Sequence, residues 1–211
     1  MSALLTRLAC LLVLACACSF VHAQPVAGRE YVVLEPPRAA QSGDKVEVLE
    51  FFYYGCPVCY EAQPHIARWQ LAAGSSVTLK RVPAVSDAWA TFARVYYALD
   101  ATGLLGRLHW PVYDNHHFDG KRLNEDKNLL DWLASNGVDA QRFKQALDSH
   151  EVTIRVEEAR KMLDTYKVNG VPTLVVDGKY ATSARLAGGV KEMMDVLEFL
   201  VARAREERGK K

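Results

Sequence analysis

The chain has 211 residues, half of them hydrophobic, with 26 basic and 25 acidic side chains and a formal charge of +1. That near balance leaves no strongly basic field to draw nucleic acid or anionic lipid, and the composition suits a chain that buries one good core. Five cysteines are present, and where they fall decides what they can do.

The opening segment MSALLTRLACLLVLACACSFVHAQP carries one arginine, Arg7, an apolar run from Leu8 to Phe20, and the small-x-small ending Val21-His22-Ala23. This is the pattern of a secretory signal peptide over residues 1–23, cleaved after Ala23. The run is shorter than the ~20 apolar residues of a membrane-spanning helix, and polar sequence follows at once. A lipidated N-terminus at Cys16 or Cys18 is the alternative, but Leu14 and Cys16 stand where such a site wants a small residue. Cleavage removes Cys10, Cys16 and Cys18, and export places the remaining pair, Cys56 and Cys59, where disulfides form and persist.

Tyr31-Val32-Val33-Leu34 is a short strand candidate, ended by Glu35-Pro36-Pro37. Val46 to Tyr54, VEVLEFFYY, is rich in β-branched and aromatic residues and nearly continuous in hydrophobicity, as a central strand covered on both faces would be. A helix is expected from Cys56 or Pro57 toward Leu71, with Pro57 in its first turn, a kink at Pro64 and an end at Gly74. Val77–Val82 is a second core strand, stopped at Pro83. Five helices follow, near 89–102, 104–115, 125–136, 139–149 and 153–167, punctuated by Gly103, Gly120 and Gly137. Sheet signals return at Thr173–Val176, the turn Asp177-Gly178 and Lys179–Thr182, a hairpin. The last helix starts near Gly189, with Val190, Met193, Leu197, Leu200, Val201 and Ala204 on one face, and its end RAREERGKK is expected to be a solvated charged tail. Neither flank of the helical block has enough strands to close a sheet alone, so an insertion into a small α/β domain explains the order best.

A bridge between Cys56 and Cys59 closes a loop too short to add much stability, which argues against a structural role. The thiolate attacks disulfides, and a helix N-terminus favours that charge through its unpaired N–H groups and dipole. Cys56 sits at that end, and Cys59, three residues on, lies on the same helix face. The spacing thus supplies an attacking and a resolving thiol. Half of a zinc or copper site is the competing reading. It needs two further ligands, and the histidines outside the signal segment, His65, His109, His116, His117 and His150, are not grouped to provide them. Surface or packing roles are expected for them, and no metal or cofactor is expected.

Val48-Leu49-Glu50-Phe51-Phe52, then Cys56-Pro57-x-Cys59-Tyr60, then a helical block and Gly170-Val171-Pro172-Thr173, closely resemble the DsbA family of periplasmic thiol oxidases across essentially the whole mature chain. The resemblance implies an α/β, thioredoxin-like fold over residues 24–84 and 150–211, with a helical domain inserted over 85–149. It implies that Cys56 is the nucleophile and Cys59 its buried partner, that Val171–Pro172 is cis, and that the Val171 backbone pairs with an extended substrate segment. Glu50 corresponds to the family's buried acid. Its apolar neighbours should raise its pKa and let it exchange protons with Cys59, unless it is a strand-edge surface charge. Lys80 is its expected partner, with Arg81 the alternative.

The family's usual dipeptide between the cysteines is Pro-His, whereas this chain has Pro57-Val58. Valine offers the Cys56 thiolate neither a hydrogen bond nor charge, so a higher Cys56 pKa and a less oxidising disulfide than in Pro-His members are expected. The implied activity is donation of the Cys56–Cys59 disulfide to reduced exported proteins in the periplasm. Reoxidation would come from a membrane oxidase of the DsbB type, and the protein would act as a monomer. Disulfide isomerase or reductase activity, or a non-catalytic metal- or peptide-binding chaperone, are the alternatives. Trp69, Trp89, Trp110 and Trp132 are expected to pack in the core or a groove, and Tyr53 and Tyr54 either in the core or near the cysteines.

Overall fold

The computed structural model describes residues 24–209, so the expected signal peptide, with Cys10, Cys16 and Cys18, lies outside the described residues. In chain order come β1 (Val32–Val33), β2 (Val46–Phe52), α1 (Pro57–Ala73) and β3 (Val77–Pro83). The helical block follows: α2 (Ala90–Ala101), α3 (Leu105–His117), α4 (Asp126–Ser135), α5 (Ala140–Leu147) and α6 (His150–Thr165). The chain then returns through β4 (Thr173–Val176), β5 (Tyr180–Ser183), α7 (Ala184–Ala187) and α8 (Val190–Gly209).

The five strands lie in the order β1-β5-β4-β2-β3, with β2 parallel to β3 and antiparallel to β4. All seven residues of β2 are buried, which accounts for a sequence that is hydrophobic except at Glu47 and Glu50. On one face Val46, Val48, Leu174 and Val176 pack against Ile66 of α1 and Met193, Leu197 and Leu200 of α8. On the other, Leu49, Phe51 and Val175 share one continuous core with Phe92, Leu108, Leu129 and Phe143 of the helical block. Each such side chain stabilises the fold by about 1.5–3 kcal/mol, so the shared core fixes the block on the sheet. The first strand is shorter than expected because β1 is an edge: Val32 and Val33 are exposed, while Tyr31 and Leu34 turn inward.

The β4–β5 turn places Asp177 and Gly178 at φ +54° and +65°, two successive left-handed residues closed by the Lys179 N–H donating to the Val176 carbonyl at 3.0 Å. A Cβ on Gly178 would meet the Arg38 carbonyl oxygen at 2.1 Å, so no other residue fits there.

The charged end of the chain departs from expectation. Residues 203–209 are not a solvated tail but the last turns of α8, docked on the hairpin. Arg208 pairs with buried Asp177, Glu207 accepts from Lys179 at 2.7 Å and Tyr180 at 2.5 Å, and Arg203 donates to the Tyr31 hydroxyl at 2.9 Å. The composition looks solvated, but successive turns meet partners supplied by Tyr31 just before β1, by β5 and by the turn between β4 and β5.

Candidate active site

β2 ends at Phe52, and Tyr53–Gly55 turn the chain into α1 with Cys56 as its N-cap, at φ −92° and ψ 118°. The Cys56 N–H donates to the Tyr53 carbonyl, and the Cys56 carbonyl accepts from the Tyr60 N–H, each at 3.0 Å. A Cβ at Gly55 would lie 2.6 Å from the Tyr53 ring, so a larger residue there would displace that ring. Pro57 takes the first helical position, where its missing N–H costs nothing, and α1 runs unbroken through Pro64.

The two sulfurs occupy opposite environments. Cys56 is half-buried and Cys59 fully buried. The Cys59 thiol, donating to the Cys56 sulfur, does most to lower the Cys56 pKa to about 6; burial opposes it, and the N–H groups of Cys59 and Val58 add to it. Burial, and then the neighbouring Cys56 sulfur, push the Cys59 thiol well up. At neutral pH the pair is therefore one thiolate and one thiol that solvates it. The Val58 side chain is 39% exposed and contributes through its backbone alone.

Across from Cys56, the loop before β4 presents the Val171 carbonyl, 3.7 Å from the Cys56 sulfur. The Val171–Pro172 peptide is cis, as is Glu35–Pro36. Thr173 holds the loop by donating from its hydroxyl to the Gly170 carbonyl at 2.7 Å.

Glu50 is fully buried, and burial raises its pKa above the usual carboxylate range while Arg81 and Gln63 pull it back. Arg81 Nε stands 2.9 Å from Oε2, and Gln63 Nε2 donates to Oε1 at 2.6 Å. Lys80 is not the partner. The parallel register sets Arg81 opposite Glu50 and Lys80 opposite Leu49, and side chains alternate between faces, so Lys80 projects to the other face and is exposed. Gln63 was not singled out from sequence, although its position one turn after Cys59 was a usable signal.

The helical block grips the cysteine turn. Tyr60, next to Cys59, is sandwiched between Trp110 and His117 of α3, with ring centroids 5.3 and 5.0 Å away, and its hydroxyl donates to Asp114 at 2.8 Å. Trp110 and His117 are two turns apart on α3, which spaces them to hold a ring between. His117 Nε2 donates to the Tyr54 carbonyl and the Tyr54 hydroxyl pairs with His109 Nδ1, both at 2.7 Å. Burial pushes His109 down to about 3, so it is neutral. Tyr54 is core, whereas Tyr53 stacks on Trp89 with centroids 4.6 Å apart beside the cysteines. Among the described residues no group of three or more His, Cys, Asp or Glu side chains is placed to hold a metal.

A central sheet that delivers a Cys-x-x-Cys pair to a helix N-terminus, facing a proline loop, defines a dithiol protein of thioredoxin-like fold with inserted helices. The family model described as DSBA-like thioredoxin domain matches residues 47–198. The thiol:disulfide interchange protein DsbA of Azotobacter vinelandii is 34% identical over 179 residues, which cover 84% of this chain and 84% of that protein. The crystal structure of Pseudomonas aeruginosa DsbA superposes with a TM-score of 0.82 at 34% identity, covering 89% of this chain and 97% of that one. That of the oxidoreductase DsbA from Xylella fastidiosa gives 0.79 at 30% identity, covering 86% and 98%. The chain belongs to the DSBA-like thioredoxin domain family.

Proposed function

We propose that Cys56 is the nucleophile and Cys59 the resolving thiol of this thiol:disulfide oxidoreductase, which donates its Cys56–Cys59 disulfide to reduced exported proteins in the periplasm. A substrate thiolate attacks the Cys56 sulfur, the Cys56–Cys59 bond breaks, and the Cys59 sulfur leaves and takes up a proton from Glu50. The substrate's second thiolate then attacks its own sulfur in the mixed disulfide, and Cys56 leaves as a thiolate. The substrate gives up two electrons and the cysteine pair receives them. The carrying observation is the opposite displacement of the two thiols: Cys56, held near 6, is the better leaving group in the second step.

The Val171 carbonyl beside Cys56 supports pairing of an extended substrate segment at Val171 and Pro172. Pro57 and Val58 adjust the helix terminus, and Lys80 lies outside the site. A membrane oxidase of the DsbB type completes the cycle by restoring the disulfide, and the protein works as a monomer. Among the described residues no helix is long and apolar enough to cross a membrane. Residues 24–84 and 150–211 form the thioredoxin-like domain and 85–149 the inserted one. The test is oxidation of a reduced, scrambling-prone substrate by the purified oxidised protein. Stoichiometric disulfide transfer, lost in Cys56→Ser, is expected; equal transfer by Cys56→Ser overturns the assignment.

A further inference from the structure

Glu50 has two oxygens in unlike situations. Oε1 accepts an aligned hydrogen bond from Gln63 Nε2 at 2.6 Å. Oε2 lies 2.9 Å from Arg81 Nε in an ion pair whose N–H is poorly aligned for a hydrogen bond, so its one polar neighbour at bonding distance is a cation. Arginine carries donors and no acceptor. A proton on Oε2 would therefore be buried against a cation with nothing to receive it, a costly arrangement. Gln63, itself buried, is the neighbour already bonded to the carboxyl that holds both a donor and an acceptor on one planar group.

We propose that Gln63 is a positioning residue for proton exchange at Glu50: its side-chain amide turns by half a rotation as the carboxyl gains or loses a proton. To the carboxylate it donates from Nε2, as in this structure; to the neutral acid it presents its carbonyl, which accepts the O–H carried on Oε1. The proton passed from Cys59 in the ring-closing direction then has a satisfied resting place, and returning it to the buried thiolate needs only the reverse turn. When a mixed disulfide at Cys56 closes, the Cys59 proton goes to Glu50, the Cys59 thiolate attacks the Cys56 sulfur, and the departing thiolate of the external partner is protonated by solvent. This rests on the reading of Glu50 as the proton partner of Cys59.

The charged and titratable groups around Glu50 do not supply the same service. Arg81 of β3 only donates. The hydroxyls of Tyr54 and Tyr96 are engaged with His109 and the Arg81 carbonyl, and Leu174 opposite on β4 is apolar. Cys59 of α1 is the exchanging thiol. Tyr113 of α3 also interacts with Glu50 and has a buried, unpartnered hydroxyl, so it is the arm that the test must separate.

The test follows two signals against pH in the reduced, isotope-labelled protein: the Glu50 carboxyl carbon and the Gln63 side-chain amide. Both are expected to titrate with one midpoint, in wild type and in Tyr113→Phe, with the Gln63 signals flat in Glu50→Gln. Gln63→Met is expected to bind the Glu50 proton about tenfold more tightly, an upward move of about one pH unit, because a bond to a charged acceptor is lost. The rate of ring closure from the mixed disulfide with glutathione should shift its pH midpoint in step. Gln63 signals that stay flat through the Glu50 midpoint, or that stop titrating in Tyr113→Phe, overturn the proposal. Ring closure slowed in Glu50→Gln, together with Gln63 signals that stay flat through the Glu50 midpoint of the wild-type protein, refutes the amide turn alone; ring closure unchanged in Glu50→Gln refutes instead the reading of Glu50.

Discussion

Arg81 and Glu50 face each other in register across β3 and β2, and their 2.9 Å contact is the counter-charge that lets a fully buried carboxylate stand in the core. Removing the cation leaves the anion in the core, a change that costs about 3–5 kcal/mol when a buried pair is broken. Arg81→Met should lose about that much in urea unfolding at neutral pH. The loss should shrink as pH falls, because a carboxyl with a raised folded pKa costs stability above its unfolded value and is relieved by protonation. Lys80→Met, at an exposed position, should stay within about 0.5 kcal/mol of wild type. Equal losses for the two variants would reinstate Lys80.

Val58 stands 39% exposed at the helix start and gives the Cys56 sulfur only its backbone N–H. A histidine there adds a donor or a positive charge near the thiolate. Val58→His should therefore move the equilibrium with glutathione toward the reduced enzyme by at least a few-fold. An unchanged equilibrium constant would remove residue 58 from the control of redox poise.

Only the reduced protein has a Cys56 thiolate, and its folded pKa near 6 lies below the ~8.5 of an unfolded thiol. Below pH 6 both states hold the proton and the thiolate contributes nothing. Between about 6 and 8.5 the folded state releases it first, so the stability of the reduced protein relative to the oxidised one should climb with pH. Above about 8.5 the gain levels off, and the raised pKa of Cys59 takes some of it back. Thermal melts of both redox forms from pH 5 to 9 check this; a gap that is constant or narrows on going from 6 to 8.5 disagrees with it.

Arg208 anchors α8 to the hairpin through Asp177, which is only 5% exposed. The pair is neither fully buried nor free in solvent, so Arg208→Ala should cost about 2 kcal/mol, between the values for buried and surface pairs. Disulfide transfer should be unchanged, because the anchor is remote from Cys56. A loss under about 0.5 kcal/mol would return the terminal turns to a solvated role.

Much of the fold was legible because its determinants are local. The nearly continuous hydrophobic run of β2, Pro57 at a helix start and the Asp177-Gly178 turn each specify one conformation within a few residues. The cysteine pair was legible for the same reason: its spacing alone puts one sulfur at a helix terminus and the other one turn inside. What required the structure was pairing between distant segments. Choosing between Lys80 and Arg81 depends on strand register, which a one-residue slip inverts. The docked α8 terminus depends on partners from Tyr31 and the hairpin, and the clamp on Tyr60 and Tyr54 depends on how α3 crosses the site. No periodicity in α3 marks His109, Asp114 or His117 as residues that hold a turn more than fifty positions earlier.

The central claim is the anionic sulfur at residue 56, and the most direct measurement of it is the rate of Cys56 alkylation against pH in the reduced protein. The rate should follow a midpoint near 6, and should move up in Cys59→Ala, which removes the thiol donor, more than in Cys59→Ser, which keeps one. A midpoint at about 8.5, that of an ordinary thiol, in a folded protein would contradict the account.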